Sequence, residues 1–159
     1  MLKRILALLL LGVFFVPGIF AAMVSFMVIE TGLPEGAGRN QHSERWENSL
    51  MDVFFDAGHI VSNSPIMRLN SNPSVDIEVI AERDIEEAAE VGFDYFIIAQ
   101  LDYTSNSQAP SVSLFLFRIR PFGKVFERSI QGRKYVSIRE ESENLRNIVM
   151  GLMPYIGEL

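Results

Sequence analysis

The sequence predicts an α/β (α+β) domain built on one mixed sheet of about four to five strands with three helices, in the order β-α-β-α-β-β-β-α. Three observations carry this. Runs rich in β-branched and aromatic residues, Val24–Glu30 and Phe93–Tyr103, alternate with stretches whose apolar residues recur at helical spacing. Two further runs, Val112–Arg120 and Lys124–Lys134, are joined by Pro121-Phe122-Gly123, a tight hairpin signal. Beyond them, Ser137 and Glu140 form a capping box ahead of a closing amphipathic helix.

Taken in order, Val24–Glu30 (VSFMVIE) is the first strand, and a polar, glycine-rich connection follows from Thr31 to His42. Ser43 is the expected N-cap of the first helix. Trp46, Leu50, Val53, Phe54 and Ala57 then share one face, and Gly58 stands where a left-handed stop belongs. His59–Val61 is a brief second strand closed by Ser62-Asn63-Ser64-Pro65. Asn70–Val75 (NSNPSV) is loop. Val75, Ile77 and Val79 alternate while the next segment turns helical, so residues 75–81 are consistent with strand, helix or loop. Arg83–Val91 is a helix with a narrow stripe of Ile85, Ala88 and Ala89, ended by Gly92. Phe93–Tyr103 is apolar on both alternating faces at its centre, the pattern of a central strand covered on both sides. In the last helix Leu145, Ile148, Val149, Leu152 and Ile156 share a face, and Pro154 kinks or ends it.

The amino-terminal segment has the layout of a secretory signal peptide. Lys3 and Arg4 precede an uninterrupted apolar run from Ile5 to Val16, Pro17-Gly18 break it, and Ala21-Ala22 offer a small residue at the cut. The alternative is an uncleaved anchor, because Ile5–Ile29 is nearly continuous apolar sequence and about 20 residues span a bilayer. The expected organisation is a signal peptide or anchor over residues 1–22 and a single domain over 23–159, in the periplasm or cell envelope. A membrane tether remains if the signal is not cleaved.

Composition narrows the partners. The chain has 159 residues, a formal charge of −6 and no cysteine, which removes disulfides, thiolate metal sites and a lipidated amino-terminal cysteine. Export would remove two of its cations, and the acidic balance argues against nucleic acid. Charge is segregated: Asp76–Asp94 holds eight carboxylates against Arg83 alone, and Arg118–Arg139 holds seven cations against Glu127 alone. Such runs read as solvated faces or as docking surfaces.

Several local phrases resemble a group of envelope proteins. Glu87–Tyr103 (EAAEVGFDYFIIAQLDY) resembles the helix-glycine-strand unit of the TolB amino-terminal domain, of the penicillin-binding-protein activator LpoB and of the curli-secretion protein CsgG. Val112–Gly132, with Phe122-Gly123-Lys124-Val125 at the turn, resembles their hairpin, and Ser43–Ala57 with Gly58 and Val61 resembles their first helix and edge strand. The resemblance implies a mostly non-enzymatic role: binding partner proteins, regulating wall synthesis, or assembling secretion or flagellar structures. The chain departs from CsgG in lacking the lipidation cysteine and length for membrane-spanning hairpins, so no pore of that type is expected. It departs from LpoB in lacking the lipid anchor and long tether.

No residue reads as catalytic. The two histidines, His42 and His59, have no close ligand spacing, and no serine sits in a GxSxG elbow. The carboxylates Glu82, Asp84, Glu86, Glu87 and Glu90 lack a calcium-loop spacing and read chiefly as a polar helix face. Gly32, Gly36 and Gly38 lie where an α/β fold places a phosphate-cradling turn, but Gln41 stands where a third glycine is needed, no Gly-Lys-Ser/Thr follows, and Glu30 and Glu35 oppose a phosphate. The connection still exceeds the usual strand-to-helix length of about 2 to 6 residues, which fits a partner-binding loop.

Val112, Leu114 and Leu116 share one face of their strand and Phe115, Phe117 and Ile119 the other, so both sheet faces need cover, from a further layer of the chain or from a partner. The expectation is a non-enzymatic exported envelope protein, with no cofactor and no metal, that docks to an envelope partner or to itself. The partner-binding residues expected are Gly36, Gly38, Arg39, Arg118, Arg120, Lys124 and Arg128. The runner-up is a small-ligand or nucleotide-binding domain using the 32–39 loop.

Overall fold

The computed structural model describes residues 21–34, 36–69, 76–104 and 109–157. The export segment as far as Phe20 and the Asn70–Val75 loop lie outside the described residues. The elements are β1 (Met23–Thr31), α1 (Gln41–Asp56), β2 (Ile60–Asn63), β3 (Met67–Leu69), α2 (Ile77–Val91), β4 (Tyr95–Asp102), β5 (Ser111–Arg118), β6 (Gly123–Ile130) and α3 (Ile138–Met150), followed by a single 3-10 turn, Met153–Tyr155. The sheet runs β2-β1-β4-β5-β6, with β3 also paired to β1. β1 is parallel to β2, β3 and β4, and the β4-β5-β6 half is antiparallel, so the α+β class and the mixed sheet hold.

The sixth strand arises from a break in one edge. Asn63 sits beside Phe26 and Met67 beside Ile29, so the edge chain takes four steps where β1 takes three. The extra residue falls in Ser64-Pro65-Ile66, where Ser64 still donates to the Phe26 carbonyl and Pro65, with no N–H, costs no ladder bond. The turn read at Ser62–Pro65 therefore starts two residues later than expected.

Two helix starts also move. Asn40, not Ser43, caps α1, its side chain accepting from the His42 amide at 2.9 Å. Ser43 is instead buried in the first turn. α2 begins at Ile77 rather than Arg83. Ile77, Ala81, Ile85 and Ala88 are all buried at helical spacing, while Val79, the alternation's other vote, is left 65% exposed. The other punctuation stands as read. Gly58 and Gly92 end their helices at φ +85° and +102°, and Ser137 accepts from the Glu140 amide. Pro154 lies in the 3-10 turn that closes the fold.

Alternate residues of β1 and β4 feed two cores. Val24, Phe26, Val28, Tyr95, Ile97 and Leu101 pack under α1 and α3 with Trp46, Leu50, Phe54, Leu145 and Val149. Met27, Ile29, Phe96, Ile98, Phe117 and Ile119 pack under α2 with Ile77, Ala81, Ile85 and Phe93. Both faces are therefore covered from within the chain, but unequally. A helix about 10 Å wide spans about two strands at 4.8 Å spacing. Two helices suffice for one face. On the other, α2 covers β1, β4 and the end of β5 and leaves the rest of the β5–β6 face open.

His59 ties the β1 entry to α1. The Ala22 amide donates to its Nδ1 at 3.1 Å, and the ring lies against Phe54. Burial lowers its pKa from the ordinary 6.5. The folded chain favours the neutral ring, so the unfolded chain binds the extra proton. In protein that retains Ala22, this contribution is complete above pH 6.5 and is lost as pH falls toward the lowered folded value. Urea midpoints at pH 7.5 and 5 should show the loss, and a His59→Gln variant should lack that part of the pH dependence.

Candidate docking site

The two ends of the sheet carry different structures. Thr31 of β1 pairs with Asp102, which pairs with Ser111, so the Gly32–Asn40 loop sits at that end. Val24, Tyr95 and Arg118 are in register at the other end, which carries the β5–β6 turn. Gly36, Gly38 and Arg39 are thus a full strand length from Arg118, Arg120 and Lys124. Arg128 is apart from both groups: opposite Leu114, it lies on the α1–α3 side of β6, whereas Lys124, opposite Phe117, lies on the α2 side.

At the loop end, one residue that sequence reasoning did not single out organises the site. Arg68 of β3 bonds the buried Glu30 carboxylate through Nε at 2.5 Å, and its two terminal nitrogens donate to the carbonyls of Ala37 and Gly38. The loop is therefore pinned by its own chain. Glu30 Oε1 has no hydrogen-bond partner among the described residues. Next to it, Tyr103 shares a 2.9 Å hydrogen bond with Ser43, and burial, reinforced by Glu30 and Glu141, raises its pKa far above the ordinary 10. Glu141 of α3 accepts from His42 at 2.5 Å and from Arg45, joining α1 to α3. Gly32 is required here: its φ is +78°, and a Cβ would stand 2.8 Å from the Thr104 nitrogen. A cleft of about 640 Å³ beside the loop is lined by Glu30, Arg39, Asn40, Glu47, Asn63 and Arg68. Its charges are mixed and largely paired: Arg39 lies 3.6 Å from Glu44, and Glu47 accepts from Asn63. With two loop carbonyls turned to a guanidinium and a carboxylate buried below, this is not an anion cradle.

At the turn end, the chain leaves an apolar groove open. Arg120 donates to the Ala89 carbonyl and the Ile119 amide to the Asp94 carbonyl, which fasten the turn to the end of α2. Phe115, Phe117 and Phe122 form a row, with ring centroids 6.5 Å and then 5.9 Å apart, the second pair parallel. Phe117 is buried, Phe115 half-buried and Phe122 60% exposed. Between Phe122, at the end of this row, and α2 runs a groove of about 420 Å³ lined by Asp76, Val79, Glu82, Ile85, Glu86 and Phe122. Lys124 is bonded to Glu127 at 2.9 Å and stands 5.6 Å from the Phe115 ring centre. Of the predicted cations, Arg120 fastens the turn to α2 and Lys124 lies over the Phe115 ring. Phe122 and Val79, the groove's most exposed apolar residues, were legible only as a turn residue and as one vote in an ambiguous segment.

Among the described residues no cluster of histidine, aspartate and glutamate could hold a metal ion, and no helix is long and apolar enough to cross a membrane. Residues 24–113, more than half the chain, match the model of a family described as "Uncharacterised protein". The chain belongs to that family. No curated protein matches the sequence. Among solved structures it is similar to the PelC dodecamer from Paraburkholderia phytofirmans, at 12% identity over 84% of this chain and 86% of that one, with a TM-score of 0.47. It is also similar to TolB from Acinetobacter baumannii, at 10% identity over 84% of this chain and 29% of that one, TM-score 0.47. The LpoB C-terminal domain from Salmonella enterica is similar at 13% identity over 79% of this chain and 93% of that one, TM-score 0.45. TolB and LpoB are two of the proteins that the sequence itself resembles.

Proposed function

We propose that this chain is a non-enzymatic, exported envelope protein that works by docking to another protein, and that the groove between α2 and Phe122 is where it docks. The observation that supports this is the unequal cover of the sheet. Val79 and Phe122, at 65% and 60% exposure, line one groove beside α2, on the face that the chain's own helices leave half open. Open apolar surface of this kind is costly for a protein with no use for it. The runner-up, a small-ligand or nucleotide site at residues 32–39, is weakened by Arg68, which already occupies the loop carbonyls.

A photo-crosslinking side chain at Phe122 or Val79, introduced in cells that make the protein, tests the proposal. A discrete protein adduct is expected at both positions. None is expected at the control position Phe55, which is 71% exposed but lies on α1, away from the groove. Equal yields at all three positions, or adducts at Phe55 alone, would overturn it.

A further inference from the structure

We infer that the groove takes an amphipathic helix bearing lysine or arginine from a partner protein, which completes the second helical layer. The inference rests on the docking reading above and adds the form and charge of the occupant.

The form follows from the layers. On one face α1 and α3 lie side by side, joined by Arg45–Glu141 and Arg146–Asp56. On the other, α2 lies alone. Beside it β5 and β6 present Phe115 and Ser113 with the exposed Lys124, Glu127 and Ser129, an amphipathic strip about two strands wide, the footprint of one helix packed at about 8 to 10 Å from α2. A strand added to the β6 edge fits less well. That edge is broken by a bulge at Val125 and guarded by Lys124, Glu127 and Arg128, the devices by which edges resist pairing. A helix from a second copy also fits less well. The apolar faces of α1 and α3 are spent in the core, on Trp46, Leu50 and Phe54 and on Leu145 and Val149.

The charge follows from α2. Glu82 and Glu86, one turn apart, line the groove, and Glu87 and Glu90 extend the exposed acidic surface. The sole cation of α2, Arg83, is engaged by Asp84 and Glu87. A helix seated with leucine-like side chains on Val79, Ile85 and Phe122 therefore places the residues of its α2-facing flank against carboxylates, which favours cations there, while Lys124 and Glu127 pair with each other on the far flank.

Three labelled peptides of about 18 residues, long enough to hold helical structure, test this by fluorescence anisotropy on the chain as purified from its envelope. One is an amphipathic leucine–lysine helix, the second carries glutamate in place of lysine, and the third is the leucine–lysine composition scrambled to abolish the apolar face. The first should bind saturably, and the other two at least about tenfold more weakly. Phe122→Ser should weaken the first by a similar factor while the variant stays folded by circular dichroism, and Glu82→Lys/Glu86→Lys should turn the preference toward the glutamate helix. Equal binding of the scrambled peptide, equal binding of the glutamate helix, or indifference to both variants overturns the inference. If the peptides fail while Phe122 still crosslinks to a protein, docking stands and the basic helix falls. If that adduct is a second copy, self-association replaces it.

Discussion

Replacing Arg68 with alanine is expected to lower the unfolding free energy by about 3 kcal/mol, the low end for removing one partner of a buried ion pair, because the arginine side chain is partly open to water. The cause is Glu30. It is 1% exposed, its Oε2 is bonded to Arg68, and its Oε1 has no hydrogen-bond partner among the described residues. Without the guanidinium the buried carboxylate is left with no partner among the described residues. The carbonyls of Ala37 and Gly38 lose their donors in the same step. Urea unfolding would measure the loss, and hydrogen exchange should report faster opening of residues 36–40 than of α3. Replacing both members, Glu30→Met with Arg68→Met, should cost less than Arg68→Ala alone, since two apolar side chains leave no stranded charge. If the double variant is the less stable of the two, the pair contributes net stability and this account of the single variant is wrong.

Gly132→Ala is the second large effect expected, a loss of about 2 to 3 kcal/mol. A Cβ at Gly132 would stand 2.1 Å from the Ala109 carbonyl oxygen and 2.8 Å from that of Pro110. Both obstacles are backbone, so neither can swing aside as a flexible side chain would. The contact joins the segment that enters β5 to the segment that leaves β6 toward α3, and relief requires both to shift. Gly38→Ala serves as the control. It has no heavy atom within 4 Å of a built Cβ and an ordinary φ, so its cost should stay within about 0.5 kcal/mol. Equal midpoints for the two alanine variants would show that the loops around Gly132 are looser than their packing indicates.

These two positions also mark where sequence reasoning stops. Glu30 is visible in the sequence as a carboxylate near a glycine loop, but its partner lies 38 residues away on a strand of three residues. Nothing in the local pattern of Met67–Leu69 distinguishes Arg68 from a solvated cation. Gly132 is one glycine in a polar connection, and only the approach of Ala109 makes it indispensable.

The candidate site divides in the same way. The aromatic alternation of Phe115, Phe117 and Ile119 is a period-two pattern, readable because successive side chains of a strand must point to opposite faces. That Phe122 joins the row across the turn, and that Val79 lines the same groove from a helix, depends on where α2 settles on the sheet. Arg120 reads as part of a basic docking hairpin, yet it is committed to the Ala89 carbonyl.

By itself the sequence determined the class of fold, the central strand, the hairpin, the stops at Gly58 and Gly92 and the cap at Ser137. Each is a matter of spacing or backbone freedom within a few residues. Tertiary structure alone decided that helices lie on both faces, that Asn40 caps α1 while Ser43 serves Tyr103, and that the glycine loop and the hairpin turn sit at opposite ends. It also decided that one strip of sheet stays open. These follow from which strands pair and how much width a helix covers, quantities set by contacts between residues far apart in the chain.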